Sequence, residues 1–126
     1  MKKLLIALGL LTSSIAVPAV MQVQPVMAAA TLSKLGDLSN MRRIVADTLT
    51  LVEAGKTQEA VKRITEFETA WDHNAKKLRK LDTQTWRKLD EASDLALSTV
   101  RYPSATPDEM KKDLSDLIAV LDNPSL

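Results

Sequence analysis

The sequence contains one histidine, His73, and two tryptophans, Trp71 and Trp86, as candidates for chemistry. A histidine can serve as a general base or metal ligand, and tryptophans can line an apolar pocket. On a helix with about 3.6 residues per turn, His73 points away from the apolar stripe that includes Trp71. We therefore expect His73 on an exposed charged face. Both tryptophans should lie on inner helix faces, where they pack in the core or form a pocket wall.

A b-type haem would use the histidine differently. Small exported four-helix bundles of the cytochrome b562 type hold haem between a methionine and a histidine, and residues 54–60 resemble a turn in those proteins. Folding the chain at Gly55 would bring Met41 and His73 to similar heights. Axial ligation needs both side chains to point inward, however, and only Met41 is predicted to do so. A small-molecule or haem carrier stays an alternative, and no bound cofactor is expected.

An acidic trio, Asp90, Glu91 and Asp94, lies on one predicted helix. Arg87 and Arg101 flank it, which favours a salt-bridged surface, since calcium or magnesium needs more oxygen ligands in a tight loop. The sequence also lacks a Ser-His-Asp set, a glycine-rich phosphate loop, and the inward-facing basic residues with which a helical chorismate mutase would hold carboxylates. We therefore expect no catalytic residue, no metal site and no enzymatic activity.

The elements that must position these residues are helices. Between residues 37 and 126 the only glycine is Gly55, and apolar residues recur every three or four positions. Thr57 is predicted to cap the second helix, and Thr106 with Glu109 to form a capping box for the fourth. The predicted helices span about 32–54, 58–80, 83–102 and 107–122. Because the turns are short, we expect an all-α, antiparallel, up-down four-helix bundle domain.

The first thirty residues have the pattern of an export signal. Lys2 and Lys3 precede an apolar run over residues 4–20, and small residues follow at Ala28 and Ala30. The run is too short and too interrupted for a membrane anchor. We predict a signal peptide at residues 1–28, with cleavage after Ala30 as the alternative. The mature bundle would then occupy residues 29–126 of a secreted or periplasmic protein.

Charge and cysteine content restrict the partners. Removing residues 1–28 takes away two of the 17 basic residues and leaves 15 against 16 acidic ones, a net charge of −1. This balance predicts no binding to nucleic acid and none to a membrane after signal cleavage. The absence of cysteine excludes disulfides and thiolate metal sites. The second helix ends in a basic run of Lys76, Lys77, Arg79 and Lys80. This run is interpreted either as a solvated last turn or as an anion-binding patch.

Residues 54–100 resemble a group of small exported bacterial all-helical proteins of unassigned function. The resemblance rests on three segments, ETAWD at 68–72, WRKLD at 86–90 and DLAL at 94–97. It implies a helical exported protein and brings no catalytic residues with it.

Two predicted helices are apolar over a wider arc than one buried face requires. Ile44 and Leu51 lie beside the main stripe of the first helix, and Leu95 and Tyr102 lie away from the stripe of the third. Such residues either form an interaction surface or contact a second neighbour inside the bundle. We expect a binding module whose partner is an unknown protein or a second copy of the chain.

Overall fold

The computed structural model describes residues 34–123, and this part of the chain forms four α-helices and no β-strand. The bounds are α1, Ser39–Glu53; α2, Thr57–Leu81; α3, Thr83–Arg101; and α4, Pro107–Asp122. The all-α class predicted from the sequence is confirmed. The predicted signal peptide at residues 1–28 lies outside the described residues.

Each helix packs against two neighbours. α1 and α3 both contact α2 and α4, whereas in residues 34–123 the pairs α1–α3 and α2–α4 do not meet. The four helices therefore surround one apolar core, the arrangement of a four-helix bundle. All four contribute fully buried side chains to it: Val45, Ile64, Phe67, Leu89, Val100, Leu114 and Leu117. Within the described part of the chain, no helix has the length and apolar character needed to cross a bilayer.

Side-chain caps determine where α3 and α4 begin. Asp82 accepts a hydrogen bond from the backbone N–H of Thr85 at 2.9 Å. Thr106 and Glu109 form the predicted capping box, in which each side chain accepts from the other residue's backbone N–H, at 3.2 and 2.8 Å. Pro107 follows at the first helical position, where a missing N–H breaks no intrahelical bond. α4 therefore coincides with the predicted range 107–122.

The start of α1 differs from the prediction. α1 begins at Ser39 rather than near residue 32, because Gly36 has a φ of +83° and Asp37 accepts a hydrogen bond from the N–H of Ser39 at 2.9 Å. Only glycine adopts such a φ readily, so the chain turns here before the helix starts. Leu35 and Leu38 are nevertheless buried.

The cap predicted for α2 is wrong. Thr57 is the first helical residue, and Lys56 takes the N-cap position without a side-chain hydrogen bond. The turn before it depends on Gly55, which has a φ of +73° and terminates α1. The turn is therefore set by backbone conformation rather than by a capping side chain.

Candidate functional site

His73 is exposed on the outer face of α2, as predicted. Met41, in contrast, lies in the core with 7% of its surface exposed. The two side chains that would ligate a haem thus face different environments, and the fold does not bring them together. A carrier built on this pair gains no support from the geometry.

Trp71 is a core residue, which confirms one of the two interpretations of this side chain. It is 3% exposed, and its ring stacks on Phe67 with centroids 6.2 Å apart and planes inclined by 10°. Its indole N–H donates to a carboxylate oxygen of Asp90 on α3 at 3.0 Å. A buried tryptophan needs such an acceptor. Which residue supplies this acceptor was not predictable from the sequence, because it depends on how α2 and α3 align along their length.

Trp86 lies in the first turn of α3 and is half-buried. The guanidinium carbon of Arg79 is 5.3 Å from the centroid of its ring, a cation–π contact between the end of α2 and the start of α3. The indole nitrogen is buried and has no hydrogen-bond partner among the described residues. The structure thus puts one of the predicted pocket-wall tryptophans in the core and the other beneath an arginine.

Two members of the acidic trio, Asp90 and Asp94, belong to a larger group of carboxylates that spans α2 and α3. Burial raises the pKa of Asp94, and three nearby carboxylates raise it further: Asp90, Asp72 and Glu68. Arg101, predicted to flank the trio, forms its ion pair with Glu68 of α2. Across residues 34–123 no three histidine or acidic side chains are arranged to hold a metal ion.

Two of the four residues predicted for an interaction surface belong to the core side of α1. Ile44 is 6% exposed and buried in the core, which agrees with the second interpretation, contact with another neighbour inside the bundle, and not with an interaction surface. Leu51 is half-buried and packs against the same core. The reason is that α1 touches both α2 and α4, and two neighbours cover a wider apolar arc than one.

The other two predicted residues are exposed. Leu95, on α3, and Tyr102, the residue that follows α3, are 54% and 61% exposed. Next to Tyr102, an open groove of about 340 Å³ runs between α3 and α4. Its lining is Ser98, Thr99, Tyr102, Ser104, Ala105, Glu109 and Asp113. The hydroxyl of Thr99 donates to Asp113 across the groove at 2.6 Å. We call Leu95, Tyr102 and this groove the α3 outer surface.

A second exposed feature surrounds the connection between α2 and α3. Residues 76–88, which we call the basic turn, contain six basic residues and one acidic residue. The basic side chains are all exposed: Lys76, Lys77, Arg79, Lys80, Arg87 and Lys88. Four of these residues form the basic run that the sequence places at the end of the second helix, and Arg87 and Lys88 extend it into α3.

Comparison of the chain with protein-family models, with curated proteins and with solved structures finds no match. The resemblance of residues 54–100 to small exported helical proteins therefore stays a prediction.

Proposed function

We propose that the protein is an exported, non-catalytic binding module that contacts its partner through the α3 outer surface. The exposure of Leu95 and Tyr102 carries this proposal. The inner face of α3 is already packed, so two large outward side chains contribute little to the fold. Exposed apolar residues beside a polar-rimmed groove are typical of protein contact sites. The partner is another protein or a second copy of the chain.

An antiparallel, up-down order of the helices is part of the proposal. Support comes from contacts that join the beginning of one helix to the end of another. Arg42, in the first turn of α1, pairs with Asp122, the last residue of α4. Between α2 and α3 the order of contacts is reversed, since Glu68 pairs with Arg101 whereas the later Trp71 contacts the earlier Asp90. Short connections between consecutive helices favour the same order.

Export is the second part, and its support is the sequence of residues 1–30. N-terminal sequencing of the protein recovered outside the cytoplasm is expected to begin at Ala29, or at Thr31 for the alternative cleavage position. Recovery of an intact chain beginning at Met1 from the membrane fraction would contradict cleavage.

The α3 outer surface is tested with matched leucines. Leu81 and Leu95 are both 54% exposed but lie on different helices. A photo-crosslinking residue at position 95 or 102 is expected to give a discrete adduct, either with a second copy of the chain or with one host protein. In protein free of membranes, the same residue at position 81 should not give that adduct. Equal adducts at positions 81 and 95 would show that apolar exposure alone, and not this surface, produces the contact.

The haem-carrier alternative is tested by the visible spectrum of protein purified from its native host. Because Met41 is buried and His73 is exposed, we expect no Soret band. A Soret band that disappears in His73→Ala would overturn this expectation and favour the carrier.

A further inference from the structure

The basic turn carries more positive charge than the bundle neutralises. Its one acidic residue, Asp82, is already engaged by the N–H of Thr85 and by Lys34, whose ammonium lies 3.7 Å away. Four cations of the turn form no ion pair with any residue in 34–123: Lys76, Lys77, Lys80 and Arg87. Basic residues elsewhere in the bundle commonly have carboxylate partners, among them Arg42, Arg63, Arg101, Lys111 and Lys112.

The helix dipole accounts for only part of this cluster. The dipole favours cations in the last turn of a helix, and Arg79 and Lys80 occupy the last turn of α2. Lys76 and Lys77 lie one turn earlier, beyond its range. Arg87 follows the first turn of α3, the end at which the dipole favours anions. Mutual repulsion among these cations is unfavourable, and an anionic partner would remove it.

An exposed apolar residue lies in the middle of the positive charge. Leu81, the last residue of α2, is 54% exposed, and lysines precede it while Trp86 follows one turn later. A nucleic acid would use exposed aromatic faces for stacking, but Arg79 covers the ring of Trp86. A leucine surrounded by lysines suits a bilayer surface, where the apolar side chain enters the headgroup boundary and the ammonium groups meet phosphates.

The chain also enters the bundle at this end. Lys34, the first described residue, pairs with Asp82 inside the basic turn. We infer that the basic turn docks on a bilayer containing anionic phospholipids, with Leu81 inserted and the lysines against the phosphates. This site is separate from the α3 outer surface and does not depend on the proposed function.

Co-sedimentation with vesicles tests the inference. The full chain is expressed in an exporting host and used in the processed form that the host yields. It should bind vesicles of phosphatidylcholine and phosphatidylglycerol more tightly than phosphatidylcholine alone, with affinity falling as salt rises. Lys76→Gln/Lys77→Gln/Lys80→Gln should lower partitioning onto the anionic vesicles roughly 100-fold, since each surface lysine contributes about a factor of five. Leu81→Ser should lower it further in the same direction.

The matched control is Lys62→Gln/Lys111→Gln/Lys112→Gln, which changes the net charge equally on exposed or half-buried lysines outside the basic turn. It should bind as the unaltered protein does. Equal loss in the two triple variants, or equal binding to both kinds of vesicle, would overturn the inference. Tighter binding to a DNA duplex, unaffected by Leu81→Ser, would also overturn it and assign the turn to nucleic acid. Circular dichroism must show that all variants are folded.

Discussion

Trp71 combines core packing with a hydrogen bond between two helices. Trp71→Ala should lower the free energy of unfolding by about 3–5 kcal/mol, because it removes a buried ring stacked on Phe67. Trp71→Phe removes the bond to Asp90 and part of the buried ring volume, so the loss should be smaller, about 1–3 kcal/mol. Urea denaturation measures both. A loss below about 1 kcal/mol for the alanine variant would show that Trp71 is not part of the core.

Asp94 is expected to destabilise the protein at neutral pH. Folding raises the pKa of this carboxyl, through burial and then through neighbouring carboxylates, so the folded state binds its proton more readily than the unfolded state. The free energy of unfolding therefore falls as pH rises through the raised value. Asp94→Asn should increase stability at neutral pH, by a small amount because the residue is largely exposed, and the gain should vanish below about pH 3.

Asp108 provides a control of opposite sign for Asp94. Its hydrogen bond and charge interaction with Lys111 lower its pKa, so its contribution is present at neutral pH and is lost as pH falls through the lowered value. Asp108→Asn should therefore destabilise at neutral pH, as measured by urea denaturation across a pH series. If both variants change stability in the same direction, loss of charge in general, and not these local environments, determines the effect.

The sequence predicts the direction of a side chain better than its partner. Over the 25 residues of α2 the apolar phase is well determined, so Trp71 inside and His73 outside follow from it. The Trp71–Asp90 bond depends on how far α2 and α3 are shifted along each other's axes, and the apolar periodicity of each helix does not determine that shift. The sequence left two interpretations of Ile44 open for a related reason, because the arc that a helix buries depends on how many neighbours it has.

At the scale of the element, α4 begins with a side-chain cap and α2 begins without one, so the two helix starts can be compared directly. Thr106→Ala removes the side-chain acceptor of the capping box and should cost about 1 kcal/mol of unfolding free energy. Thr57→Ala is the matched control, since Thr57 is exposed and caps nothing, and it should change stability by less than about 0.5 kcal/mol. Thermal or urea denaturation compares the two. Equal losses would mean that threonine itself, and not the cap, is responsible.

Helix boundaries were predictable where side chains define them. α4 has a capping box and a proline in sequence, and its predicted and observed ranges agree. α1 has apolar residues at helical spacing before Gly36, but the chain turns there, and Leu35 and Leu38 are buried without belonging to the helix. An apolar residue that covers one end of a bundle has the same sequence signature as one on a helix face. The pattern therefore extended α1 too far.

At the scale of the whole molecule, a near-zero net charge coexists with an uneven distribution. The chain balance predicted no binding to nucleic acid or to a membrane, whereas the basic run left an anion-binding patch open. Residues 76–88 are strongly basic, and their one acid is engaged within the bundle. Long-range attraction depends on the local field and not on the total. The composition therefore gives the net charge of this protein correctly but does not show how the charge is distributed over its surface.

The ring of four helices depends on α4, which closes it by contacting both α1 and α3. α4 buries four large apolar side chains, Met110, Leu114, Leu117 and Leu121. Burial contributes about 1.5–3 kcal/mol for each, before the entropy of ordering the helix is subtracted. This sum is comparable with the whole stability of a small domain, about 5–15 kcal/mol.

A chain that ends at Tyr102 should therefore lose its fixed core. It should keep helical far-ultraviolet dichroism, bind a hydrophobic dye and melt without a cooperative transition, because the faces of α1 and α3 that α4 covers become exposed. A chain that ends at Asn123 keeps all four helices and should melt as the full chain does. A cooperative, monomeric fragment ending at Tyr102 would show that three helices suffice. The apolar face of α4 would then be free to bind a partner, ahead of the α3 outer surface.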